Sequence, residues 1–185
     1  MAGQLARSWA ATVIVTLWFS IPVRADQLED AVAAERRDDC STALALYRSL
    51  AAQGVPKAFA KLGFFSEIGW CTKRDWVDAA KWFGKAAGAG DKDAAATLGY
   101  IGRNWKYMYF GKPLDPTVYA LVTKAAKDGS VVAQYSLGVM NYPIGDPSYD
   151  PSIQNTGITG NLEEAIFWCR RAADQGDVDA LVSLG

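Results

Sequence analysis

Histidine is missing from all 185 residues. That one absence removes Ser-His-Asp triads, Cys-His pairs and imidazole metal sites. The chain also has no Cys-x-x-Cys, no Ser-x-x-Lys and no glycine-rich phosphate loop. Carboxylate-only chemistry stays open, but Asp38-Asp39 and Glu163-Glu164 read as charges that the helix dipole favours at helix starts. No catalytic residue, metal or cofactor is expected.

A long apolar run is missing too. The uncharged stretch Trp9–Val23 is fifteen residues, short of the roughly 20 that span a bilayer. It follows a short basic region with Arg7, is interrupted by Pro22 and leads into Val23-Arg24-Ala25. This pattern predicts a secretory signal peptide over 1–25, cleaved before Asp26, with an uncleaved anchor as the alternative. The mature chain, 26–185, then carries 17 basic against 20 acidic residues. So mild a charge argues against nucleic acid or an anionic membrane as partner. Periplasmic or secreted localisation without a stable membrane anchor is expected.

What the sequence does have is repetition. Gly54, Gly90, Gly129 and Gly176 are each followed eight residues on by Leu62-Gly63, Leu98-Gly99, Leu137-Gly138 and Leu184-Gly185. Ala58, Ala94, Ala133 and Ala180 each lie four residues past the glycine. The copies are 36, 39 and 47 residues apart, so a fixed unit recurs with loops of variable length between copies. Before each glycine the apolar residues keep helical spacing, as in Ala43, Leu46, Tyr47, Leu50 and Ala51, or Val118, Leu121, Val122, Ala125 and Ala126. Asp75 with Asp78, Asn161 with Glu164, and Asp115-Pro116 mark helix starts. The landmark glycines mark helix ends in a left-handed residue. The Leu-Gly glycines, unfavourable inside a helix by about 1 kcal/mol each, imply close helix–helix approach. The spacing predicts helices near 40–52, 56–69, 76–88, 92–105, 116–127, 131–141 and 162–174, another begun near 178, and a lead-in helix over 27–37.

The stretch Ala79-Ala80-Lys81-Trp82-Phe83-Gly84-Lys85-Ala86-Ala87 with Gly90 resembles the core of a Sel-one-like repeat. So does Glu164-Ala165-Ile166-Phe167-Trp168-Cys169-Arg170-Arg171-Ala172-Ala173 with Gly176, and Asp39 to Gly54 is similar to a bacterial opening repeat. The third copy departs from it, with Val118 and Leu121-Val122 at the Ala and Trp-aromatic positions. Trp105 stands where copy one has the turn glycine Gly69. The resemblance implies an all-α fold: a right-handed α/α superhelix of about four antiparallel pairs, near 40–69, 76–105, 116–141 and 162–185, the last incomplete. It also implies protein binding by an adaptor or scaffold. Some cysteine-rich relatives are linked to β-lactams, but no matching catalytic residues stand here.

Several residues fall outside the repeat. Trp105, Tyr107, Tyr109 and Phe110 lie in one run that reads either as a contact patch or as a cover between pairs two and three. Trp82, Phe83 and Trp168 recur with the array and are expected in the core. Tyr142 and Tyr149 lie in a proline- and glycine-rich loop over 141–160 that is either functional or mobile. Cys169 is expected to be a buried, inert thiol. The chain stops inside the second helix of pair four, which suggests a fragment of a longer array.

A protein-binding exported scaffold is therefore expected. A cell-wall enzyme or glycan-binding protein, and an N-terminal spacer of a longer chain, are the alternatives. Cys40 and Cys71 fall at the same open end of an antiparallel pair turning near 54–56, and export permits a bridge; two separate thiols are the alternative. Peptide mapping without reduction is expected to find Cys40 linked to Cys71 and Cys169 alkylated. Alkylated Cys40 and Cys71 would exclude the bridge. Replacing both by serine is expected to cost about 2–4 kcal/mol in chemical denaturation.

Overall fold

A computed structural model describes residues 25–105, 114–142 and 161–185. Every regular element among the described residues is a helix, and the bounds fall within two residues of those the spacing predicts. The chain divides into two units, residues 1–58 and 59–185.

In the first unit, α1 (25–36) and α2 (Cys40–Ala52) are joined by a reversal at Asp38, whose φ is 55°. Asp39 caps α2 by accepting from the Thr42 N–H at 3.2 Å. Ala31, Ala34, Ala43, Tyr47 and Leu50 are fully buried. The Tyr47 hydroxyl donates to Glu35 at 2.8 Å, so the one polar atom of that ring is satisfied inside the hairpin. Burial, and then the Glu35 carboxylate, push its phenol well above the ordinary tyrosine range. Gln53 donates to Gln27 at 3.1 Å and ties the open ends together.

The second unit runs from Phe59 within α3 (Pro56–Ile68) through α4 (Trp76–Gly88), α5 (Lys92–Arg103), α6 (Pro116–Lys127), α7 (Val131–Asn141), α8 (Leu162–Ala173) and α9 (Val178–Leu184). Here α4 packs on α5 and α6, α5 on α6 and α7, α7 on α6 and α8, and α8 on α9. Leu98 and Leu137 are 1% and 0% exposed, as befits the repeated leucine, and Val118 and Val122 fill the third copy at 0%. Buried polar side chains among the described residues all have hydrogen-bond partners.

One turn recurs at all four landmarks. After α4, Gly90 has φ 94°; its N–H reaches the Ala87 carbonyl at 2.9 Å, and the Asp91 N–H reaches Ala86 at 3.1 Å. The same pair of bonds forms at Gly54, Gly129 and Gly176, the arrangement that closes a helix with a left-handed residue. In three copies the next residue also starts the following helix. Asp91 accepts from the Asp93 and Ala94 N–H groups at 3.0 Å, Ser130 from Ala133 at 3.4 Å, and Asp177 from Ala180 at 2.8 Å. Val55 takes that place in the first copy, ahead of Pro56, whose missing N–H needs no acceptor at a helix start.

The Leu-Gly glycines serve a different purpose. A Cβ on Gly99 would stand 2.9 Å from Ala133 Cα and N, so the α5 and α7 backbones meet where neither side chain intervenes. A Cβ on Gly138 would collide with Cys169 Sγ and come within 3.2 Å of the Ala165 carbonyl oxygen. Gly99→Ala is expected to cost about 1–3 kcal/mol, because rigid backbone rather than a movable side chain stands in the way. Gly90→Ala, with open space around it but φ positive, is expected to cost about 1–2 kcal/mol. Urea midpoints at unchanged slope measure both; an unchanged midpoint for Gly99→Ala would contradict the close approach.

Candidate functional site

The uncharged helix α7, VVAQYSLGVMN, is held from both sides by its own polar residues. Gln134, fully buried, donates to the Ala126 carbonyl at 3.0 Å and accepts from Gln175 at 2.7 Å. Asn141 donates to the Leu137 carbonyl at 2.9 Å, and its side chain lies 3.3 Å from the Tyr119 hydroxyl of α6. The bonds to Ala126, Gln175 and Tyr119 fix the rotation of α7. Ala133, Gln134, Leu137, Gly138 and Asn141 face inward.

The outward positions are then Tyr135, Val139 and the cap residue Tyr142, spaced four and three apart, which puts them on one face. Val139 and Tyr142 are 39% and 52% exposed. On α5, Tyr100 is 48% exposed and Arg103 lies three residues further on. The Arg103 guanidinium sits 5.3 Å from the Tyr135 ring centroid and joins the two helices. Tyrosine, arginine and valine thus stand at the outward positions of two helices that pack on each other. Repetition could have revealed part of it, since Phe64, Tyr100 and Val139 each directly follow the Leu-Gly pair and all are exposed.

Residues singled out from sequence divide sharply. Trp105 is 4% exposed and belongs to the core with Leu114, so it takes the structural one of its two readings. Tyr142 is exposed, and Tyr107, Tyr109, Phe110 and Tyr149 lie outside the described residues. Cys40 and Cys71 are disulfide-bonded. Cys169 is free and buried, and burial, then Asp177, push its thiol up.

Trp82 corrects the expectation of a core tryptophan. It is only half-buried and stacks on Phe59 at 6.2 Å between centroids, with Lys85 Nζ 4.4 Å above its ring. Its indole N–H donates to Asp78 at 3.1 Å, and Ser66 donates to the same oxygen at 2.8 Å. Asp78 therefore serves Trp82 and Ser66, while the Asp75 N–H goes to the Ser66 carbonyl at 2.9 Å. Glu164 likewise accepts from Trp168 at 3.4 Å. Asp39 is held below the ordinary carboxylate range by hydrogen bonds from Thr42, then Ser41. These acids have structural work. In the cleft between α4 and α6, lined partly by Gly84, Gly88 and Leu121, Lys124 and Asp128 pair with each other at 2.5 Å.

Neither a protein-family model nor a curated protein sequence matches the chain. Solved structures do. A Sel1 repeat protein from Oxalobacter formigenes aligns over 87% of this chain at 24% identity and TM-score 0.51. So does c5321, a protective antigen present in uropathogenic Escherichia coli strains displaying an SLR fold, over 80% of this chain at 25% identity and TM-score 0.51. This is a Sel1-like repeat fold. The chain spans 44% and 29% of the lengths of those two proteins.

Within a Sel1-like array, core and outer-face aromatics should respond differently to truncation. Trp105→Ala is expected to cost about 3–5 kcal/mol. Tyr100→Ser and Tyr142→Ser are expected to stay within about 0.5 kcal/mol of the parent. Equal losses for all three in urea titrations would show that the outer tyrosines are core residues after all.

Proposed function

We propose that this Sel1-like repeat chain is an exported, non-catalytic scaffold that binds another protein through the outer face of α5 and α7. The observation that carries the proposal is the group of exposed Tyr100, Val139 and Tyr142 with half-buried Arg103 and Tyr135 on two packed helices. None of these residues is needed to fill the core, and tyrosine and arginine are the types enriched where proteins meet. The hydrogen bonds that anchor α7 through Gln134 and Asn141 support the same reading, because a preordered face loses little entropy on binding. Export draws support from the apolar Trp9–Val23 run, from the disulfide-bonded Cys40 and Cys71, and from the likeness to a protective antigen. No helix among the described residues is long and apolar enough to cross a membrane.

The test is photo-crosslinking in intact cells from positions 100 and 139, with fractionation and N-terminal sequencing of the same protein. A mature chain beginning at Asp26 in the exported fraction, crosslinked to one protein from both positions, is expected. Tyr142→Ser is expected to remove that adduct. A full-length chain retained inside the cell would refute export, and glycan adducts would refute the protein-binding reading.

A further inference from the structure

Resting on that reading, the geometry points to a partner segment that is acidic as well as apolar. The α5–α7 face has one strongly polar feature, the Arg103 guanidinium. Among the described residues it meets the Tyr135 ring and no carboxylate. The ring lies against the cation without supplying an anion, and five N–H donors in a planar fork remain suited to a carboxylate. No compensating acid stands nearby on the same two helices. The α7 sequence has no charged residue. The acid of α5, Asp93, precedes Arg103 by ten residues, about 15 Å along the helix axis.

The exposed large side chains on the same two helices are apolar or apolar with a polar tip: Tyr100 three residues before Arg103, and Val139 and Tyr142 beyond Tyr135. A basic or neutral segment would cover that cation without pairing it, an unfavourable arrangement once water is excluded. A segment carrying a carboxylate beside leucine, phenylalanine or tryptophan would satisfy both features. Its carboxylate would accept a forked pair of bonds from Arg103, and its apolar side chains would lie on Tyr100, Val139 and Tyr142. We therefore propose that α5 and α7 select short acidic–apolar protein segments, with Arg103 as the charge that sets the choice and the tyrosines as the apolar anchors.

The experiment is selection of a random peptide library on the purified chain, followed by fluorescence anisotropy with the recovered peptides. Recovered sequences are expected to combine Asp or Glu with large apolar residues. Arg103→Gln is expected to weaken them about tenfold, and added salt to weaken the parent more than the variant. Arg103→Glu is expected to turn the preference toward Lys and Arg. Tyr142→Ser is expected to weaken binding about tenfold, with thermal melts confirming that each variant is folded.

Neutral or proline-rich sequences, or acidic ones indifferent to Arg103→Gln, would overturn the acidic partner. They would leave the binding face intact if Tyr100→Ser and Tyr142→Ser still weakened them. Recovery of no binder, or of binders indifferent to all these variants, would overturn the face itself.

Discussion

The structure depends on a turn in which two successive residues finish one helix and begin the next. A helix ending leaves carbonyls without partners, and a helix beginning leaves N–H groups without partners. At Gly90-Asp91, the backbone N–H groups answer the carbonyls of Ala87 and Ala86, while the Asp91 carboxylate answers the N–H groups of Asp93 and Ala94. Only a left-handed residue lets the chain reverse inside so short a connection, and glycine enters that region at little cost. With the reversal so constrained, the register between the two helices of a pair follows. Ala94 and Leu98 then come inward in that copy as Ala133 and Leu137 do in the next.

Register within pairs makes close packing between pairs possible. With the register set, the missing side chain of Gly99 brings the α5 backbone against Ala133 of α7, two helices on. The gain is dispersion between tightly apposed atoms, which falls away quickly with separation. Variation across copies follows from the partner. Gly63 faces the large Phe83 ring, whereas Gly138 faces Cys169 at the same stripe position. A small thiol there fits a tighter approach that also brings in the Ala165 carbonyl. Cys169 is thus explained by packing without any appeal to reactivity, in keeping with the upward push on its thiol.

Most of the fold could be read from the chain because it rests on local rules repeated four times. Positive φ at Gly54, Gly90, Gly129 and Gly176, and burial of the alanines four residues on, follow from spacing alone. Caps directly after a glycine were less legible, since Asp91 and Asp177 look like ordinary loop acids until the reversal shows them at a helix start. Trp82 and Trp168 share a sequence position but differ in burial: Trp168 is 6% exposed, while Trp82 is half-buried beneath Lys85. That difference arises in the neighbouring helices, which periodicity does not describe. The candidate site was hardest to see. An aromatic run such as the one beginning at Trp105 draws attention in sequence, yet Trp105 fills the core. Tyr100, Tyr135 and Val139 are scattered over two helices and become one face only through the Arg103–Tyr135 contact.

The division of labour on α7 explains why such a face can exist on a small repeat. Gln134 and Asn141 hold the helix through hydrogen bonds to the Ala126 carbonyl and the Tyr119 hydroxyl, whose loss would strand buried polar groups away from water. Ala133, Leu137 and Gly138 supply the packing. With rotation and depth both settled by those five residues, exposed Val139 and Tyr142 contribute little to holding the helix in place. An outward position freed of that duty would ordinarily tolerate charge, and the outward positions of α4 and α8 do carry Lys81, Lys85, Arg170 and Arg171. Charge is absent from α7 throughout. A surface helix that is fully anchored, yet keeps tyrosine and valine where lysine or glutamate would be more soluble, gains from those side chains only when something covers them.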